Sequence, residues 1–204
     1  MARTRLLEAS VDFFGRLGFE GASTREIALA SDTVMSAITY HYGGKQGLYL
    51  ATADYIAAEM HTRIAPLIDR VDEAEVADGA AAAARAATLL DGVAELMLSP
   101  ETESWVRYIV REQQAPTEAF DRLYEGAIRR LSETLSRLVA LARPDLDDRA
   151  ARATAIMLFG QAMILRSGRA AVCRALGATD LRETDERLLR DCLAANVAAV
   201  LTRA

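Results

Sequence analysis

The chain has 204 residues, 51% of them hydrophobic and 6% aromatic, and a formal net charge of −5. That length allows one large or two small domains with an ample core. The acidic balance excludes a protein whose whole surface binds nucleic acid, so any such contact must come from local placement of cations.

Scarce aromatics, plentiful Ala and Leu and only four prolines favour helices over sheets, and predict an all-α fold. The first predicted helix spans Arg3 to Arg16. Leu6, the small Ser10, Phe13, Phe14 and Leu17 fall at helical spacing, and Gly18 ends the run. Phe13, Phe14 and Phe19 belong to a core. Arg3 and Arg5 form an arm at its start that touches phosphates or a minor groove, or only solvates the terminus.

Ser23 to Lys45, STREIALASDTVMSAITYHYGGK, reads as a helix, a tight turn and a second helix, closed by two glycines and the only lysine of the chain. Ser23 or Thr24 is placed to cap the first helix, and Glu26 stands at capping-box distance from Ser23. The second helix turns Ile38 and Tyr42 inward and presents Met35, Ser36, Thr39, Tyr40 and His41 outward. A small, uncharged, hydroxyl-bearing face is not needed to pack a core. It suits a DNA major groove, where a helix must come close and offer donors, acceptors and methyl groups.

A further helix begins near Lys45 and runs to about Ala65, with a kink or break at Pro66. Asp69 to Asp78 reads as a solvated acidic connection. Ala80 to Met97 forms a helix with Leu89, Val93, Leu96 and Met97 as its stripe, its alanine run serving helix propensity alone. Between Pro100 and Pro116 one helix face carries Trp105, Tyr108, Ile109 and Glu112. Pro116 opens the next helix, which carries Phe120, Leu123, Tyr124, Ala127 and Leu131. These residues describe either plain core or an apolar cavity with a few polar handles. Arg149 to Arg166 is apolar on two sides: Ile156, Phe159 and Met163 on one, Ala151, Ala155, Leu158, Ala162 and Leu165 on the other. About Asp180 to Thr202 forms the last helix, with Leu189, Leu193, Asn196 and Val200 on one side and Ala195 and Ala199 on another. Helices apolar on two sides need two neighbours, and a second subunit supplies one of them.

Residues 3 to 52, from TRLLEASVDFFGRLGFEGASTREIA through ITYHYGGKQGLYLA, resemble the N-terminal domain of the tetracycline-repressor (TetR) family. That segment, together with REQQAPTEAFDRLY and FGQAMILRSGRAAVCRALG, is similar to the CecR-like subgroup. The resemblance implies a helix-turn-helix DNA-binding domain over 1–47 and a helical ligand-binding and dimerisation domain over 48–204. DNA contacts then fall to Thr24, Arg25, Met35, Ser36, Ala37, Thr39, Tyr40, His41 and Lys45, with Thr24 and Lys45 on phosphates at helix N-termini. It also implies an inducer site, here Trp105, Tyr108, Ile109, Glu112, Phe120, Tyr124, Phe159 and Met163. The homodimer interface falls to Ala151, Ala155, Leu158, Ala162 and Leu165 with Leu189, Leu193, Asn196 and Val200. Three positions depart from the family's turn: Asp32 replaces a glycine, Thr33 a buried valine and Val34 the capping Ser or Asn. A looser turn is expected, since a lost cap costs about 1 kcal/mol.

No enzyme is legible. His41 and His61 lie on separate helices without metal-ligand partners, and Gly43-Gly44-Lys45-Gln46 lacks the earlier glycine and the Ser or Thr of a phosphate loop. No cofactor or metal is expected. Cys173 and Cys192 read as free thiols. The opening MARTRLLEASVDFF lacks a long apolar run and no stretch approaches the length of a membrane span, so a cytoplasmic protein is expected. The first reading is a dimeric ligand-responsive repressor with partners in double-stranded operator DNA and a small-molecule effector. The alternative is a helical ligand- or partner-binding dimer whose head has lost tight DNA binding.

Overall fold

The computed structural model describes residues 2–72 and 76–202, and every regular element among them is helical. They divide into two compact units, Met1–Thr62 with Glu101–Ile128, and Arg63–Pro100 with Arg129–Ala204. Packing therefore divides the chain elsewhere than at the expected 47/48 boundary, because residues 101–128 join the N-terminal helices.

In the first unit α1 (Ala2–Gly21) is followed by α2 (Thr24–Ala30), α3 (Met35–Tyr42) and the first part of α4 (Lys45–Asp72). Helix α1 starts at Ala2, so Arg3 and Arg5 lie within it and not on an arm. It breaks at Gly18, whose φ of 75° lies in the left-handed region. A short 3₁₀ turn (Pro100–Thr102) leads into α6 (Glu103–Gln114), and α7 (Glu118–Leu123) passes into one π-helical turn, Tyr124–Ile128. Pro116 precedes the N-cap of α7 and does not open it. Thr117 is that cap, its hydroxyl accepting from the Ala119 N–H at 3.1 Å.

Helix α6 packs along α1. Gly15 permits the approach, since a Cβ there would sit 2.9 Å from the Ser104 carbonyl. Arg111 of α6 donates to the Gly15 and Arg16 carbonyls at 2.9 and 2.7 Å, placing a cation on the backbone oxygens just before the Gly18 break. The core is Leu6, Val11, Phe14, Ile27, Ile38, Leu48, Ile56, Trp105, Tyr108 and Leu123 with their neighbours; Phe13 and Phe19 pack half-buried at its edge.

The second unit contains α5 (Gly79–Leu98), α8 (Arg129–Ala142), α9 (Asp148–Ser167), α10 (Arg169–Ala175), α11 (Glu183–Leu201) and the end of α4. Helix α5 contacts α8, α9 and α11, and its alanines are why it can. Ala82, Ala83, Ala86 and Ala94 are buried beside Leu89, Leu90 and Val93. The alanine run is thus close packing as well as propensity. Asp78 and Asp147 cap α5 and α9, accepting from Ala81 N and Ala150 N at 2.7 and 2.8 Å. Arg166 closes the far end of α5 by donating to the Met97, Leu98 and Ser99 carbonyls.

Helix α4 does not stop near Ala65. It runs through Pro66 to Asp72. An interior proline costs about 3 kcal/mol, and burial of Ile64, Ile68 and Val71 around and beyond it, at about 1.5–3 kcal/mol each, offsets that. The acidic segment is correspondingly shorter: Asp69 and Asp72 pair with Arg130 and Arg137 of α8. Residues 73–75 of the expected connection lie outside the described residues.

Gly47 is the tightest point of the first unit, since a Cβ there would fall 1.7 Å from the Tyr42 carbonyl oxygen. Gly47→Ala should cost about 3 kcal/mol or more by forcing α3 and α4 apart, read as a lowered midpoint in thermal or urea unfolding. An unchanged midpoint would show that the α3–α4 junction is soft.

Candidate functional site

The turn between α2 and α3 is closed by two backbone hydrogen bonds, Asp32 N to Leu29 O at 3.2 Å and Thr33 N to Ala28 O at 2.9 Å. With Ser31 as C-cap these are the pair that defines a Schellman ending. Asp32 carries the left-handed residue at φ 53°, the conformation a glycine would take without strain. The Ser31 hydroxyl donates back to the Ile27 carbonyl at 2.8 Å. The expected looseness at Asp32 and Thr33 is therefore replaced by a closed turn with modest strain. Two caps are missing nonetheless. Neither Ser23, the N-cap of α2, nor Val34, the N-cap of α3, makes a side-chain cap bond, so the expected capping box with Glu26 does not form.

Ile38, 1% exposed, anchors α3 in the core, and Met35, Ser36, Thr39, Tyr40 and His41 are exposed, Tyr40 at 86%. Ala37 and Tyr42 are half-buried. The structure therefore presents the outward face read from the sequence. Thr24 is the first residue of α2 and half-buried, while Arg25 is exposed. Lys45 opens α4 just after Gly43 and Gly44, both in the positive-φ region. Its ammonium donates to the Glu20 carbonyl at 3.1 Å and lies 4.8 Å above the Phe19 ring. It closes the last turn of α1, a role the sequence did not suggest.

Trp105, Tyr108, Ile109 and Glu112 lie together on the buried face of α6, where their polar atoms are already engaged. Glu112, 3% exposed, accepts from the Tyr49 hydroxyl at 2.6 Å, from Thr117 N at 3.1 Å and from Thr117 Oγ1 at 2.8 Å. The Tyr108 hydroxyl donates to the Tyr49 carbonyl at 2.9 Å. Tyr49 also packs edge-on to Phe14 and Phe19, with ring centres 4.8 and 5.2 Å away. Sequence reasoning overlooked Tyr49. A buried tyrosine seeks a hydrogen-bond partner and a buried carboxylate seeks a donor, but a spacing of 63 residues hides the pair. Burial first, then the hydrogen bond to Glu112, raises the Tyr49 hydroxyl far above its ordinary value; burial first, then Tyr49, does the same for Tyr108.

Phe120 is half-buried and Tyr124 exposed, their rings 6.1 Å apart. The other two expected effector contacts, Phe159 and Met163, lie half-buried on α9 in the second unit.

The two sides of α9 are exchanged relative to expectation. Ala151, Ala155, Leu158, Ala162 and Leu165, expected at a subunit interface, are buried within their own unit, because α5 and α8 cover them. The exposed apolar residues are Ile156, Ile164 and above all Met157, at 72%, with Leu188 exposed on α11. On α11 Leu193 is buried, Leu189 and Val200 are half-buried, and Asn196 is exposed, donating to Gln161 of α9 at 2.9 Å. A cleft of about 690 Å³ between the end of α5 and the start of α11 is lined largely by charged groups, including Asp91, Glu95, Glu186, Arg187 and Arg190. That lining does not suit an apolar effector.

Among the described residues no group of three or more His, Cys, Asp and Glu could hold a metal ion, and no helix is long and apolar enough to cross a membrane.

Two family models match: bacterial regulatory proteins of the tetR family over residues 6–52, and the C-terminal domain of the HTH-type transcriptional dual regulator CecR over residues 84–202. The chain is 28% identical over 207 aligned residues, covering 98% of it and 91% of the relative, to the HTH-type transcriptional dual regulator CecR of Shigella flexneri. Two solved structures share the fold. AibR in complex with isovaleryl coenzyme A and operator DNA has a TM-score of 0.70 at 14% identity, with both chains fully covered. FadR of Bacillus subtilis in complex with stearoyl-CoA has a TM-score of 0.67 at 12% identity, covering 97% of this chain and 98% of that one.

Two outcomes follow from this geometry. Asp32→Gly should raise stability by up to about 1 kcal/mol in denaturant unfolding by relieving the left-handed backbone; a loss would mean that the Asp32 side chain contributes more than the strain it carries. Because the folded Tyr49 and Tyr108 hydroxyls resist ionisation, their contribution is fully present below about pH 10, where the unfolded tyrosines begin to ionise, and is lost as pH rises further. Tyr49→Phe should flatten this alkaline fall and cost about 1–3 kcal/mol at pH 7, since Glu112 loses a donor. An alkaline profile identical in the variant would exclude Tyr49 as its source.

Proposed function

The chain belongs to the tetR family of bacterial regulatory proteins, in its CecR branch, and from that premise we propose a dimeric, ligand-responsive repressor. It binds a pseudo-palindromic operator in double-stranded DNA and is released by a small, largely apolar effector. The observation that carries the reading is the α3 surface, an exposed row of hydroxyl, imidazole and apolar groups on a helix pinned by Ile38. Two copies present this helix to successive major grooves about 34–36 Å apart. Ser36, Thr39, Tyr40 and His41 meet base edges or phosphates, with Ala37 at the margin. Thr24, Arg25 and Lys45 take backbone phosphates.

Exposed Ile156, Met157 and Ile164 of α9, beside Leu188, Ala195 and Ala199 of α11, support pairing of two protomers through that side. The effector acts on the helical body by binding better to protomer arrangements whose heads are spaced wrongly for the operator. Two solved structures of this fold hold acyl-coenzyme A molecules, so acyl thioesters are the first compounds to test. The Shigella relative is named a dual regulator, and a reporter assay should score activation as well as repression.

Selection of random duplex DNA by the purified protein at near-physiological salt should enrich an inverted repeat; a folded dimer that enriches nothing sinks the reading. On the recovered operator, Lys45→Ala should lower the slope of log affinity against log salt by about one. Its melting temperature should also fall slightly, because Glu20 and Phe19 lose their contact. A lower melting temperature with an unchanged slope would leave Lys45 a structural residue only.

A further inference from the structure

A recognition helix that reads guanine or adenine by paired hydrogen bonds does so with Arg, Lys, Asn or Gln. None of these residues stands between Val34 and Tyr42. What the start of α3 offers instead is apolar: Val34, its N-cap, is 69% exposed and Met35, its first residue, 53%. The N-terminal residues of a recognition helix are the ones that contact base edges. Val34 also occupies the position where a helix most favours a side-chain oxygen, and it makes no cap bond. The chain thus forgoes a cap and leaves hydrocarbon in water at the point that enters the groove. In the major groove the apolar group a base pair presents is the thymine C5 methyl.

Resting on the regulator reading, we propose that Val34 and Met35 are specificity determinants that pack on thymine methyl groups in each half-site. Methyl contact then does the discriminating work that bidentate hydrogen bonds do in other recognition helices. Ser36 and Thr39 supply hydroxyl contacts that distinguish bases less sharply, since a hydroxyl can both donate and accept.

The test uses the full chain and the duplex recovered by selection, with each thymine replaced in turn by deoxyuridine. That change removes the methyl and leaves every hydrogen-bonding group in place. One or two thymines per half-site should weaken binding about fourfold when replaced, the worth of one buried methyl group. The effect should disappear in Met35→Ala or Val34→Ala, both of which truncate exposed side chains, with helical content and melting measured alongside. Binding indifferent to deoxyuridine at every position overturns the assignment, as does a sensitivity that survives in both variants, and in either case the operator still stands. A folded protein that selects no duplex at all overturns the regulator reading, and the assignment falls with it.

Discussion

A buried carboxylate holds the first unit together. Glu112 is 3% exposed, and a buried carboxyl group left without hydrogen-bond partners there would cost several kcal/mol. Its partners are the Tyr49 phenol, the Thr117 hydroxyl and the Thr117 backbone N–H. They come from α4 and from the cap of α7, while Glu112 itself rides on α6. None of these three elements can move away without stranding the carboxylate. The α4 end of the network lies close to α3 in sequence and in space, because Gly47, two residues before Tyr49, sits against the Tyr42 carbonyl at the end of α3. A continuous set of close contacts therefore runs from the start of α7 to the end of α3.

Helix ends elsewhere are held by arginine. Arg111 donates to two carbonyls of α1 and Arg166 to three at the end of α5. A guanidinium fork reaches several oxygens at once, where an ammonium acts as a point charge. The scarcity of lysine thus has a structural use in this chain. Lys45, the exception, performs the same kind of task on the Glu20 carbonyl with a single bond.

The sequence was most legible where a periodic pattern met a single buried face. Ile38 inward with Tyr40 outward was readable because one short helix has one core to face. The all-α class was readable from composition. On α9 the pattern showed two apolar sides, and no local rule said which side its own unit would cover. The small residues Ala151, Ala155 and Ala162 went inward because α5 and α8 approach closely, and the larger Ile156 and Met157 were left outside. The alanines of α5 misled for the same reason: a small side chain looks like mere propensity until a neighbour packs on it. The Tyr49–Glu112 bond lay beyond any local signal. Lys45 and Arg111, too, cap helices far from themselves in sequence, which only tertiary structure reveals.

The head's charges bear on the proposed DNA contact. Of the cations in the first fifty residues, Arg16 is held by Asp12 at 2.6 Å and Arg5 faces Asp32 at 3.9 Å, while Lys45 keeps its charge, donating only to the neutral Glu20 backbone carbonyl. In a chain of net charge −5 the proposed operator contact draws on a small set of local cations, so counterion release would account for only a few phosphates' worth of affinity. On the proposed dimeric reading, such a regulator would depend on contacts within the groove and on the spacing of its two heads. Discrimination is favoured by such an arrangement, because the ratio of specific to non-specific binding rises when the sequence-independent part is small. The same economy makes the geometry of the α2–α3 turn decisive. With little bulk attraction in reserve, on the proposed reading the Schellman closure at Asp32 and Thr33 has to hold α3 at one angle.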